Sequence, residues 1–210
     1  MDNQRRDFNK DAAQWDENPG RVKLAQDVGR SLLDAVAFGP QMDVLDFGCG
    51  TGLITLQIQP LVRSVTSVDT SQGMLDVLQN KLKKNDIANV KTRSLDLEKG
   101  GELEGRFHAI VSSMTLHHVP DTAALISRFF DHLEPGGVLA LADLDPDKGL
   151  FHEDNKGVFH QGFDRKALAE LYRKAGFEKI QDGTAAKVVK KTAEGTTNTF
   201  TVFLVVGYKK

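Results

Sequence analysis

Apolar positions in this chain switch repeatedly between two periods. After the turn signal Asn18-Pro19-Gly20, Val22, Ala25, Val28, Leu32, Leu33 and Val36 recur at helical spacing and predict one amphipathic helix. From Gln41 onward, short apolar runs alternate with helical patterns. The runs predict strands over Asp43–Phe47, Ser64–Asp69, Val90–Leu95, Ala109–Ser113 and Val138–Ala142. Between them lie a helix carrying Ile54, Ile58 and Leu61, and one carrying Met74, Leu78 and Leu82 behind an N-cap at Ser71. A third carries Leu125, Phe129 and Leu133 behind Asp121, and Pro135-Gly136-Gly137 is read as its break. Repeated β-α-β units imply a parallel sheet with helices on both faces and right-handed crossovers.

The C-terminal part departs from this rhythm. A helix near Arg165–Lys174 stops at Gly176, and two β-rich runs follow, Phe177–Lys191 and Thr197–Tyr208, flanking Ala193-Glu194-Gly195. This reads as a hairpin, so the last strand runs antiparallel in an otherwise parallel sheet. The expected fold is therefore α/β: a Rossmann-like, seven-stranded, mostly parallel sheet with an antiparallel C-terminal strand. Residues 1–40 form an N-terminal flap and helix, residues 41–210 the main domain, and residues 145–163 a loop on the ligand side. The Lys187–Lys191 cluster reads as the solvated end of a strand.

Chemistry concentrates in Val44-Leu-Asp-Phe-Gly-Cys-Gly-Thr-Gly52. A strand turning through Gly48, Gly50 and Gly52 into a helix lets a ligand lie on bare backbone and aims unpaired N–H groups at it. Asp69, at the end of the next run, can accept hydrogen bonds from both hydroxyls of a ribose. Asp96, with apolar Leu97, suits an adenine. Ligands of open α/β sheets bind at the carboxyl ends of the strands, where Asp46, Asp69-Thr70, Asp96-Leu97 and Ser112-Ser113 would line one crevice. Together these residues point to an adenosine-containing cofactor.

Composition narrows the field. The 210 residues are 40% hydrophobic and 27% charged, with a formal charge of −2, which disfavours non-specific nucleic-acid binding. No apolar run reaches membrane-span length, and Met1-Asp-Asn-Gln-Arg-Arg-Asp lacks a signal-peptide core. The one cysteine, Cys49, excludes an internal disulfide. A cytoplasmic protein is expected, without membrane or nucleic-acid partner; oligomeric state is not legible.

Five segments, in order, resemble class I S-adenosylmethionine (SAM)-dependent methyltransferases: Val44–Gly52, Val68–Leu75, Ser94–Leu97, Ala109–Val119 ending in His-His-Val, and Leu133-Glu-Pro-Gly-Gly-Val138. The likeness spans roughly Gln41 to Asp143. It is nearest to the small-molecule group that includes quinone-biosynthesis enzymes. The resemblance implies that Gly48, Cys49 and Gly50 approach the methionine part of SAM, with Asp46 near its ammonium. It also puts Asp69 at the ribose, Asp96 and Leu97 at the adenine, Met74 on the adenosine, and Ser112 closing the pocket, with Thr70 a further cofactor-binding candidate. The fourth strand lacks the Asn/Asp-Pro-Pro-Tyr motif of amino-methylating DNA enzymes, and one thiol is too few for arsenic methylation. The expected acceptor is a small molecule.

His117 and His118 follow the fourth strand, where an acceptor would meet the methyl group, and His160 lies in the loop; these are the candidate bases. A His-His pair also occurs as loop filler, and for His117-His118 that is the favoured reading. His152-Glu153-Asp154 with His160 could hold a metal, but the spacing matches no strong motif and none is expected. Trp15 reads equally as an anchor for the first helix or as a flap over the cofactor. Two other functions use much of the same pattern. A nicotinamide-dependent oxidoreductase is disfavoured because Leu53 stands where a third glycine belongs. A SAM-binding regulatory subunit without turnover would keep every cofactor residue.

Overall fold

The computed structural model describes residues 6–191 and 197–210. Seven strands form one sheet: β1 (Asp43–Phe47), β2 (Ser64–Asp69), β3 (Val90–Ser94), β4 (Phe107–Ser113), β5 (Leu133–Leu144), β6 (Glu178–Lys191) and β7 (Thr197–Tyr208). Their order is β3-β2-β1-β4-β5-β7-β6. The first five pair in parallel, and β7 runs antiparallel to both β5 and β6. The helices are α1 (Pro19–Ala35), α2 (Thr55–Ile58), α3 (Gln72–Lys84), α4 (Thr122–His132) and α5 (Arg165–Ala175).

The central strands are apolar on both faces because helices cover both. In β1, Val44 joins the core under α1 and α2 (Val28, Leu32, Ile58), and Leu45 joins the opposite core under α4 and α5 (Phe129, Leu168, Tyr172). In β4, Val111 and Ile110 divide the same way. A third group sets Leu75, Leu78 and Leu82 of α3 against Cys49.

The predicted caps form. Ser71 accepts from Met74 N at 3.2 Å, Asp121 from Ala124 N at 2.9 Å, and Gly176 ends α5 with φ 103°. Asn18 caps α1, accepting from Gly20 N and Arg21 N, with Pro19 in the first turn. Among the described residues no helix is long and apolar enough to cross a membrane.

Four expectations change. The helix expected through Leu61 is one α-turn, α2, followed by a 3-10 turn at Gln59–Leu61 that includes Pro60, and Leu61 is 44% exposed. Strand β5 starts at Leu133, before Pro135-Gly136-Gly137. The backbone there is held by Gly136 N donating to Lys209 O and Lys209 N donating to Gly137 O. Strand β4 begins two residues early, at Phe107, which pairs with Leu133. Lys190 is only half-exposed: its ammonium donates to Phe151 O at 2.5 Å and lies 3.7 Å from that ring's centre. The Ala193-Glu194-Gly195 turn and Met1–Arg5 lie outside the described residues.

Phe129 is fully buried and meets Phe47 edge-on at 5.1 Å between centroids. Phe129→Ala should cost about 3–5 kcal/mol, whereas Leu61→Ala should stay within about 0.5 kcal/mol. Urea unfolding of both variants checks the pair; equal losses would refute this partition of core and surface.

Candidate functional site

The chain order reverses between β1 and β4, its two central parallel neighbours. A crevice opens at the carboxyl ends of such strands. There the glycine turn leaves β1, Asp69 ends β2, Ser112 and Ser113 end β4, and Asp143 stands near the end of β5.

All three turn glycines have positive φ: 71° at Gly48, 54° at Gly50 and 83° at Gly52. They serve different ends. A Cβ on Gly48 would lie 2.2 Å from Thr115 Oγ1, and one on Gly52 would lie 2.3 Å from Leu78 Cδ1. These two glycines allow close packing of β4's exit and of α3. A Cβ on Gly50 would meet nothing within 4 Å. Gly50 is therefore the position where bare backbone faces open space that a ligand can fill.

Asp69 fixes that position. One carboxylate oxygen accepts from Gly50 N and the other from Ser71 N, both at 2.8 Å. Burial pushes its carboxyl up, against these backbone bonds. Asp46 lies beneath the turn, accepting from the Thr55 hydroxyl at 2.5 Å; that hydroxyl also meets Ser67 Oγ at 2.9 Å. Burial, with Asp69's charge adding, lifts Asp46 to about 7. Burial also raises the Cys49 thiol well above its ordinary value, consistent with a small residue in a tight turn and not a nucleophile.

The remaining predicted residues are placed as follows. Asp96 accepts from Glu98 N at 3.1 Å and begins a 3-10 turn through Leu97, which packs on the core. Met74 is buried in the first turn of α3, and Thr70 is exposed. Ser112 donates to Phe47 O at 2.7 Å and ties β4 to β1.

Beyond β4 the structure assembles a histidine cluster. The buried His117 ring places Nδ1 2.7 Å from Asp143 Oδ1, while its Nε2 lies 3.2 Å from His152 Nε2. His118 Nδ1 donates to Gly157 O at 2.7 Å. Burial, with His117 beside them, holds His118 and His152 down at about 4, so both rings are neutral at neutral pH. Burial opposes the charge on Asp143, yet the His117 ring and two backbone N–H groups keep its carboxyl below the usual range. His160 does not join them: its Nε2 donates to Val119 O at 2.9 Å.

Two segments cover this cluster. The 145–163 loop is pinned over it by Phe159 N donating to His117 O and by the His118–Gly157 bond. Buried Asp147 holds the loop's own turn through Gly149 N and Phe151 N. From the other side comes the N-terminal segment. Asn9 Oδ1 accepts from Ser71 Oγ and Gly73 N. Asp16 accepts from Thr51 Oγ1 at 2.7 Å and pairs with Lys81. Phe8 meets the His118 ring edge-on at 5.2 Å and Trp15 at 5.9 Å, and the Arg21 guanidinium lies 3.9 Å from the Trp15 ring centre.

Sequence reasoning missed Asn9, Asp16, Thr115, His152 as a partner of the His117-His118 pair, and Asp143. Asp143 alone left a legible signal: an acid near the end of the fifth strand, as at the ends of strands two and three. The others are brought in by loops whose paths no periodicity encodes.

A profile of the methyltransferase domain matches residues 21–182. An uncharacterized methyltransferase of Schizosaccharomyces pombe is 29% identical over 195 residues, 86% of this chain and 68% of that protein. Trans-aconitate 2-methyltransferase of Deinococcus radiodurans is 33% identical over 114 residues, 53% of this chain and 42% of its own length. Ubiquinone biosynthesis O-methyltransferase of Xanthomonas campestris is 30% identical over 144 residues, 67% of this chain and 60% of its own. The latter two matches thus span less than two thirds of the relatives concerned. Among solved structures, the YcgJ protein of Bacillus subtilis superposes with a TM-score of 0.74 at 15% identity, covering 88% of this chain and 98% of that one. Phosphoethanolamine N-methyltransferase 2 of Haemonchus contortus, in complex with SAM, gives 0.70 at 18% identity, covering 97% and 59%. With a matched segment running from the first helix into the C-terminal hairpin, the chain belongs to the methyltransferase domain family.

Proposed function

We propose that this protein transfers a methyl group from SAM to a small acidic molecule. The observation that carries the reading is the open face of Gly50, fixed by Asp69, within a fold whose family is methyltransferase. When bound, SAM supplies a methyl group made electrophilic by its sulfonium. In this reading the backbone of Gly48, Cys49 and Gly50 holds the methionine part and Asp46 lies beneath its ammonium. Asp69 and Thr70 take the ribose, Asp96 and Leu97 the adenine, with Met74 beneath and Ser112 setting the pocket wall. The chain's main task is then alignment in a closed site, which is worth roughly 7–11 kcal/mol in favourable cases.

The acceptor's character follows from charge. Arg6, Arg21 and Lys190 each depress a neighbour's protonation: Arg6 acts on Arg21, His118 and His152, and both arginines act on Lys190. Asp11, Glu153 and Asp147 offset this in part. An anion seated among these cations relieves their mutual repulsion. His118, neutral and weakly basic, suits an acceptor whose oxygen is already acidic; a carboxylate or acidic phenol needs little help losing its proton. The names of the trans-aconitate and ubiquinone relatives favour the same class. Of the three candidate histidines, His117 and His118 are the ones proposed to face the acceptor; His160 serves the loop. Closure of the N-terminal segment and the 145–163 loop excludes water.

Incubation with methyl-labelled SAM and a panel of di- and tricarboxylates, acidic phenols and amines tests the reading. Label in an acidic acceptor is expected; transfer to amines alone would overturn the acceptor class, and SAM binding without transfer to any acceptor would overturn the enzyme. Asp69→Asn should weaken SAM by about 2–3 kcal/mol, the loss expected of charge-assisted bonds, and unchanged affinity in calorimetry would remove Asp69 from the cofactor site. His118→Ala should lower turnover while leaving SAM affinity within a factor of about three. Equal loss of both would make His118 a structural residue.

A further inference from the structure

We propose that His117, His118 and His152 form a binding site for one divalent transition-metal ion of the zinc type, with coordination positions open to the acceptor. The three are the one such group among the described residues, and their ligand atoms all lie within 4.8 Å of one another. They come from two segments 35 residues apart, so local sequence spacing hides the group.

The hydrogen bonding sorts the nitrogens. Nδ1 of His117 is taken by the Asp143 carboxylate and Nδ1 of His118 by the Gly157 carbonyl. This leaves Nε2 of each ring as the atom free to coordinate. A carboxylate or carbonyl behind the far nitrogen is the support that metal-ligating histidines carry, because it fixes tautomer and ring plane and raises ligand basicity. Here both kinds are present, and Asp143 is itself fully buried, with Leu144 N as a further donor to Oδ1.

The spacing agrees. Two imidazole nitrogens facing each other must share a proton or a cation. His117 Nε2 and His152 Nε2 are 3.2 Å apart. Two nitrogens bound to zinc at about 2.0–2.1 Å with tetrahedral angles stand about 3.3 Å apart. The His118 ligand atom lies within 4.8 Å of both and completes the triangle. Three imidazoles without a fourth protein ligand define an open site and not a closed structural one. Imidazole sets suit zinc, cobalt, nickel, copper and iron better than calcium or magnesium.

The role of such an ion rests on the methyl-transfer reading: an acidic oxygen bound in an open position would be held as its anion beside the methyl donor. Binding itself does not rest on it, and the test keeps the two apart. Tag-free, chelator-treated protein is titrated with zinc by calorimetry and with cobalt by visible absorption, and SAM affinity is measured on the same metal-free sample. One zinc per chain and a cobalt ligand-field band are expected. His152→Ala should abolish the band. Asp143→Asn should weaken zinc about 10–100-fold, and His132→Ala, on the surface at the end of α4, should leave it unchanged. No zinc heat and no cobalt band while SAM still binds would overturn the metal site and leave the cofactor reading standing. Binding that survives in a His118→Ala/His152→Ala double variant would overturn it as well.

Discussion

The Asp69 carboxylate is the constraint around which this site is built. Its two oxygens hold Gly50 N and Ser71 N, so one side chain at the end of β2 fixes both the glycine turn leaving β1 and the entry to α3. The bonds span neighbouring strands and need the parallel register in which Asp46 lies beside Ser67 and Phe47 beside Val68. They also need a turn of residues with positive φ, which is why glycines stand at 48, 50 and 52. With Gly48 filled by Thr115 and Gly52 by Leu78, Gly50 is left facing open space.

The same economy governs the polar interior. The Thr55 hydroxyl links Asp46 and Ser67, all three buried. Asp143 does for the histidine side what Asp69 does for the glycine side: it orients a ring and accepts backbone donors from His117 and Leu144. A buried carboxylate of this kind costs free energy unless its oxygens are matched, and for Asp143 the partners are its neighbour Leu144 and His117, 26 residues away. The glycine-turn side and the histidine side are thus each organised by an acid near the end of a strand.

Between them, coverage comes from the N-terminal segment, which carries a 3-10 helix at Ala12–Glu17, and from the 145–163 loop. The N-terminal segment reaches α3 through Asn9, the glycine turn through Asp16 and the histidines through Phe8. Trp15, legible in sequence as either an anchor or a flap residue, is placed between Phe8 and Arg21, so it stiffens the cover from within. The 145–163 loop closes the other side by hydrogen bonds to the His117–Val119 backbone.

The periodicities encoded the sheet and most helices because each central strand is buried on both faces and each helix on one. Val44, Leu45, Ile110 and Val111 could not be exposed without large loss of burial. The glycine turn and the acids at 46, 69 and 96 were legible for a local reason: a turn with positive φ and a strand-end carboxylate are written in consecutive residues. Leu61 misled because a single Pro60 ends α2 after one turn. Lys190 misled because its partner, Phe151, is 39 residues away. His160 was one of the histidines singled out from the loop, yet the fold points it at Val119 and brings His152 to His117 instead. Thus the sequence by itself determined the doubly covered sheet and the glycine turn, whose information is local. Tertiary structure alone decided which histidines meet, because loop paths follow from long-range packing and buried hydrogen bonds and leave no period in the chain.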